Sequence, residues 1–161
     1  MTHPSPPHRD SAEQALINAA LIDLVEHKIT FNQVLGLKVQ SLRPQFVVRF
    51  DMRPELVGHD HYQRLHGGVI ASALDATAGC VLMQAIADKH PSDTCDQVMH
   101  RFLRMGTIDL RVDYLRQGLG LHFIASAEVT RLGGRVASTQ MRLINDEGTL
   151  IATGAAAYIV S

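Results

Sequence analysis

Residues 66–87 read HGGVIASALDATAGCVLMQAIA, and Asp75 is the one charged residue in this otherwise apolar or small stretch. Its apolar residues recur every three or four positions, which is the spacing of a helix. Nearly every side of that helix is apolar, so we expect other structure to surround it. A carboxylate on such a helix needs partners or a function, because burial of an unpaired charge is costly. Asp75 is therefore the first candidate functional residue.

The same stretch is long enough to cross a lipid bilayer, since about 20 apolar residues suffice. Asp75, Gln84 and three glycines interrupt it, and Lys89 supplies the only basic flank beyond its end. We therefore expect a core helix and no membrane association.

The composition is that of an ordinary globular protein. The 161 residues are 46% hydrophobic with a net charge of −1, and this length fits one domain with one core. The balanced charge argues against a nucleic-acid partner. Cys80 and Cys95 lack metal-type spacing, and Cys80, inside the apolar stretch, is expected to act as a small buried hydrophobe. Because the start, MTHPSPPHRD, lacks a secretory signal, we expect a cytoplasmic protein.

The first third of the chain predicts helix and then strand. Residues 1–10, with three of the six prolines, predict a disordered leader, and residues 11–161 predict a single domain. Ser11 is the expected N-cap of a helix that runs to about Lys28, and a short turn is expected next. Two extended segments follow, at residues 36–41 and 45–53.

The last third predicts strand after strand. Four segments alternate between apolar and more polar residues, namely 108–114, 121–129, 135–144 and 149–160. Turn sequences separate them, which predicts an antiparallel meander with one buried face. Residues 89–106 predict only a loop with one extra helical turn. With the apolar helix, these strands predict an α+β fold in which a sheet curls around a central helix.

The motif His66-Gly67-Gly68, followed by Asp75 on a long apolar helix, resembles the hotdog-fold acyl-CoA thioesterases of the PaaI-like group. Three later segments also resemble that family: TIDLRVDYLRQ (107–117), RLGGRVAS (131–138) and GTLIATGAAAYIV (148–160). The resemblance implies a hotdog fold, an antiparallel sheet wrapped around one long helix, to which this chain adds an N-terminal helix. It also implies an enzyme that hydrolyses an acyl-CoA thioester to free acid and CoA without a cofactor.

Site residues follow from the resemblance by their place in the motifs. Asp75 matches the catalytic acid, which serves as general base or nucleophile, and Gly67 matches the glycine whose N–H polarises the thioester carbonyl. Thr107 falls where some relatives have a serine that assists the attacking water. Gly134 and Arg135 fall in a turn often close to CoA. The family usually builds each site across a dimer interface, so we expect a homodimer, arranged as a dimer of dimers.

One position departs from the family pattern. Relatives often have an asparagine or glutamine six residues before the motif histidine, where it helps to hold the acyl group or the nucleophile. This chain has Asp60 there, with Gln63 nearby, and we expect these two and Gly68 to contact substrate. His66 either holds the loop through a backbone hydrogen bond or takes part in the chemistry.

A helix N-terminus suits thioester hydrolysis, because negative charge develops on the carbonyl oxygen. The first N–H groups of a helix lack partners and lie at its positive end, and glycine lets a substrate approach closely. Such a donor typically contributes about 3 kcal/mol in the transition state. Asp75 lies eight residues after Gly67, about 12 Å along a helix. The two residues of one chain therefore cannot act on one carbonyl, which favours a site completed by a second chain.

Two other functions fit the same sequence. A hotdog hydratase or dehydratase would need His66 as its catalytic histidine, and a non-catalytic module would bind an acyl thioester without turning it over. The acyl group, and the choice between CoA and an acyl carrier protein, stay open. His59, His61 and His66 share one loop without a matching carboxylate pattern, so no metal site is expected.

Overall fold

The computed structural model describes residues 9–161, in which one long helix packs against a six-stranded antiparallel sheet. The helices are α1 (Ser11–Asp23), α2 (Thr30–Leu35), α3 (Gly67–Lys89) and α4 (Cys95–Phe102), with a π-helical turn at Leu24–Lys28 and a 3-10 turn at Pro54–Leu56. The strands are β1 (Lys38–Ser41), β2 (Val47–Asp51), β3 (Val57–His59), β4 (Arg64–Leu65), β5 (Gly106–Tyr114), β6 (His122–Leu132), β7 (Val136–Asn145) and β8 (Leu150–Ile159). The main sheet has the order β1-β2-β6-β7-β8-β5, and β3 pairs with β4 separately.

Helix α3 supplies the centre of the core. It contacts β5, β6, β7 and β8, and Ala73, Leu74, Ala78 and Leu82 are fully buried. Each fully buried leucine contributes roughly 2 kcal/mol by its removal from water. By length and composition α3 is apolar enough to cross a membrane, but half of its most apolar window is buried inside the protein. The predicted core helix is therefore confirmed.

Strand order corrects one prediction. β6, β7 and β8 form a meander as expected, but β5 does not join it beside β6. Instead β5 pairs with β8 at the sheet edge, while β6 pairs with β2. Hydrogen bonds hold the connection between β5 and β6 in place. The Leu65 N–H donates to the Gly118 carbonyl at 2.9 Å, and the Asn145 side chain donates to the Leu119 carbonyl at 2.9 Å. The glycines in this connection predict a change of direction, but they do not determine which strands pair.

The N-terminal region differs from prediction in two details. The N-cap of α1 is Asp10 and not Ser11, because Asp10 Oδ1 accepts the Glu13 N–H at 2.7 Å. Residues 11–28 are helical as predicted, the last five as a π-helical turn. The predicted turn that follows contains α2, and its buried Asn32 donates to the Val25 carbonyl at the end of the preceding helix. The predicted leader falls mainly on residues 1–8, which lie outside the described residues.

The segment at residues 89–106 holds more helix than predicted. α4 has two turns, and a reciprocal pair of hydrogen bonds between Thr94 and Gln97 closes its N-terminus. This capping box is a local signal that stabilises a short helix. α4 also packs beside α1 and α3.

Candidate active site

Asp75 lies near the middle of α3, on the side that faces β5 and β8. Its Oδ1 accepts hydrogen bonds from Thr107 Oγ1 at 3.0 Å and from Tyr158 Oη at 2.8 Å. The Tyr158 hydroxyl also lies 3.2 Å from the Asp75 carbonyl oxygen. Among residues 9–161 no side chain or backbone group donates to Oδ2. One carboxylate oxygen is thus held in place while the other remains available.

Thr107 reaches Asp75 because β5 is irregular. Thr107 pairs with Tyr158, yet Asp109 pairs with the adjacent residue Ala157, so β5 has one extra residue there, a β-bulge. Regular alternation would place Thr107 on the same face as Asp109. The bulge brings Thr107 to the helix face instead, where it stands beside Tyr158.

Tyr158 is a site residue that the sequence analysis did not identify. Its side chain is 3% exposed, and burial and the hydrogen bond to the Asp75 carboxylate raise its pKa. The phenol therefore stays a neutral hydrogen-bond donor at physiological pH. The sequence signal for Tyr158 is its place in the alternation of the last strand, which predicts a buried side chain. That signal fits a core tyrosine as well as it fits a site residue.

The Asp75 carboxylate lines a pocket of about 280 Å³. Most of its wall is apolar and comes from the α2 region, α3 and the start of β5: Ile29, Phe31, Ala76, Gly79, Cys80, Met83 and Met105. Burial raises the pKa of the Cys80 thiol to about 12, so Cys80 acts as a small apolar wall residue, as predicted, and not as a nucleophile. Asn32 and Ser72 add polar groups. Such a pocket suits an apolar ligand with one reactive polar group.

The start of α3 carries the glycine pair. His66 is the N-cap, and its Nδ1 accepts the Gly68 N–H at 2.9 Å, so this ring nitrogen holds the loop. The Tyr114 hydroxyl donates to the Gly67 carbonyl at 3.0 Å. Within the described part of the chain no acceptor takes the Gly67 N–H. Gly67 thus offers a free donor at the positive end of the helix.

The remaining predicted residues lie at two other places. Asp60 and Gln63 occupy the exposed loop between β3 and β4, where Gln63 Nε2 donates to the Asp60 carbonyl at 2.6 Å. Gly134 and Arg135 occupy the turn between β6 and β7, and Gly134 lines a separate pocket, of about 670 Å³, together with Lys89 at the far end of α3.

The predicted site residues are therefore distributed along the whole of α3. Gly67 stands at its start, Asp75 in its middle and the Gly134 turn near its end. One chain brings Asp75 and Thr107 into contact, and it leaves these two apart from the other predicted residues.

Comparison with known proteins places the chain in a family. A family model, described as the Thioesterase superfamily, matches residues 62–152. The chain belongs to the thioesterase superfamily. It is 40% identical over 151 residues to medium/long-chain acyl-CoA thioesterase YigI of Escherichia coli K12, covering 93% of this chain and 96% of that relative. The protein of the same name from Salmonella typhimurium LT2 matches at the same identity and coverage.

Solved structures agree with this membership. A Shewanella oneidensis protein related to the thioesterase superfamily superposes with a TM-score of 0.87 at 33% identity, covering 94% of this chain and 99% of that chain. A protein from Syntrophus aciditrophicus superposes with a TM-score of 0.82 at 35% identity, covering 94% and 100%. The predicted hotdog fold and the predicted class, a thioester hydrolase, are confirmed.

Proposed function

We propose that this member of the thioesterase superfamily hydrolyses medium- and long-chain acyl-CoA, as a cytoplasmic homodimer or dimer of dimers. The observation that carries the proposal is the Asp75 carboxylate, held through one oxygen by Thr107 and Tyr158 in an apolar pocket. The acyl class is supported by the name of the relative that is 40% identical.

In the proposed reaction, the free Oδ2 of Asp75 starts the attack on the thioester carbonyl carbon by one of two routes. It either takes a proton from the attacking water or attacks the carbon itself. The carbonyl oxygen becomes negatively charged, and the Gly67 N–H stabilises it. Collapse of the tetrahedral intermediate breaks the carbon–sulfur bond, and CoA leaves as the thiolate. When Asp75 attacks directly, water then hydrolyses the acyl–Asp75 anhydride, so both routes yield the free acid and need no cofactor.

The dimer is required because Gly67 and Asp75 of one chain lie about 12 Å apart along α3. β5 contacts both of them, since Thr107 near its start bonds Asp75 and Tyr114 at its end bonds the Gly67 carbonyl. A second copy paired antiparallel to β5, about a two-fold axis near Leu110, would bring its Thr107 to the end of β5 that carries Tyr114. Its Asp75 would then approach Gly67 of the first chain.

β5 has the features of a strand that pairs with a second copy. It is nine residues long and lies at the sheet edge, where unpaired backbone groups favour the addition of another strand. Ile108 and Tyr114 are more than half exposed. Pairing about Leu110 would place Asp109 opposite Arg111 of the other copy, and opposite charges across antiparallel strands are stabilising.

We assign the remaining predicted residues to substrate binding. The exposed Arg135 guanidinium, beside Gly134, suits the phosphates of CoA. Gly68, Asp60 and Gln63 lie near the start of α3, and we place them at the thioester end of the substrate.

Thiol release from a panel of acyl-CoA substrates tests the proposal, with the wild type and Asp75→Asn compared. We expect Asp75→Asn to lose roughly a hundredfold or more in kcat, the usual contribution of a general base. Asp51→Asn, at an exposed aspartate on β2, is the matched control and should keep full activity. Equal turnover by Asp75→Asn would remove Asp75 from the chemistry. Saturable binding without turnover by the wild type would favour a binding module instead.

A further inference from the structure

A second apolar pocket adjoins the one at Asp75. It measures about 390 Å³, and Ile29 and Met83 line both pockets. The rest of its wall comes from the helical turn before α2 and from α4 with the residue after it: Leu24, Asp96, Met99, His100, Phe102 and Leu103. An apolar surface therefore continues from the carboxylate, past Met83, to Leu103.

We propose that the two pockets form one acyl-chain channel, defined by the residues that line them. The thioester carbonyl would lie at Asp75, and the alkyl tail would run past Ile29 and Met83 toward Leu103. This inference rests on the proposed thioesterase activity and names the part of the chain that determines acyl length.

The size and chemistry of the channel fit an alkyl tail. Ligand pockets usually measure about 300–1,000 Å³, so the Asp75 pocket alone suits a short acyl group and the second pocket extends it. A tail has no hydrogen-bonding groups and gains free energy only by leaving water. In the second pocket the polar lining residues are Asp96 and His100, both on α4.

Methionines line the channel along its length. Met83 lies at the junction, Met105 in the first pocket and Met99 in the second. Because methionine is unbranched and flexible, it adapts to ligands of different shape. Such walls suit a series of acyl chains rather than one. Leu103, in the second pocket, is 77% exposed, and a long tail would cover it.

The channel predicts that a bulky residue at the junction of the two pockets shifts the substrate preference toward shorter acyl chains. We expect Met83→Trp to lower kcat/KM for hexadecanoyl-CoA roughly tenfold or more relative to that for hexanoyl-CoA, because methylenes past the block lose their burial. The measured quantity is the ratio of the two kcat/KM values, relative to the wild type.

A second variant tests the channel even if Met83→Trp does not fold. Leu103→Asn changes an exposed residue and should lower kcat/KM for hexadecanoyl-CoA by about threefold or more relative to that for hexanoyl-CoA. Leu121→Asn is the matched control, since Leu121 is 78% exposed and lines neither pocket. It should change neither value.

Two results would overturn the channel. One is an unchanged ratio in both Met83→Trp and Leu103→Asn. The other is a change of oligomeric mass in Leu103→Asn without a change of ratio, which would assign this surface to a second copy of the chain. A wild type inactive on every acyl-CoA would instead refute the proposed function on which the channel rests.

Discussion

At the scale of single residues, the site depends on how one carboxylate is held. Thr107 and Tyr158 both donate to Oδ1 of Asp75, and the raised pKa of Tyr158 keeps its hydroxyl protonated. Neither hydroxyl forms or breaks a bond to substrate in the proposed reaction. We propose that they position the carboxylate, so that Oδ2 is free to act on water or on the reacting carbon.

Removal of either hydroxyl tests this positioning role. We expect Thr107→Val and Tyr158→Phe each to lower kcat roughly tenfold with KM little changed, because a hydrogen bond to a charged group contributes about 1.5–3 kcal/mol. Steady-state kinetics with a medium-chain acyl-CoA measures both constants. Tyr62→Phe, in the exposed loop before α3, is the control for loss of a phenol hydroxyl. Wild-type kcat in both site variants would show that Asp75 needs no such support.

At the scale of elements, hydrogen bonds tie the N-terminal helices to the core, among them those of Arg9 and Glu26. The Arg9 guanidinium donates to the carbonyls of Ala87 and His90 at the end of α3, at 3.1 and 2.8 Å. Glu26 accepts the Val39 N–H of β1 at 2.8 Å and pairs with Lys38 at 3.0 Å. Ile29, Phe31 and Asn32 line the Asp75 pocket and lie between Glu26 and its partner Val39 in the chain, so this contact helps to hold part of the pocket wall.

The Glu26 contact predicts a pH-dependent contribution to stability. Burial alone would raise the pKa of Glu26, but Lys38 and the Val39 N–H outweigh it, so the pKa lies below its usual range. A carboxylate with a lowered folded-state pKa stabilises the protein above its unfolded pKa, about 4.3, and loses that effect as the pH falls.

We therefore expect Glu26→Ala to lower the free energy of unfolding by about 1–2 kcal/mol at pH near 7. The difference from the wild type should shrink below about pH 4. Urea unfolding at both pH values measures it. Glu147→Ala, in the exposed turn between β7 and β8, should have little effect at either. An equal loss of stability at both pH values would show that the Glu26 charge is not responsible.

At the scale of the whole molecule, the proposed site is complete only in a dimer. β5 carries exposed, alternating charges at Asp109, Arg111 and Asp113. In antiparallel pairing about Leu110, Asp109 of each copy faces Arg111 of the other, so one reversal of charge creates two repulsive pairs.

Charge reversal on β5 tests the dimer and the shared site together. We expect Arg111→Asp to lower both the oligomeric mass and kcat, and Asp109→Arg combined with Arg111→Asp to restore them. Light scattering with size exclusion gives the mass, and thiol release gives kcat. Arg142→Asp, at an exposed arginine on the interior strand β7, should leave both unchanged. A fully associated and active Arg111→Asp would place the interface elsewhere.

The sequence by itself determined α3, most strand positions and the Asp75–Gly67 pair of candidates. These features are local, because helical spacing, glycines and a lone carboxylate are visible within one stretch of chain. Tertiary structure alone decided that β5 lies beside β8, that a bulge brings Thr107 to the helix face, and that Tyr158 meets Asp75. Each depends on pairing between residues far apart in the chain, and the alternation of a strand is the same whichever neighbour it has.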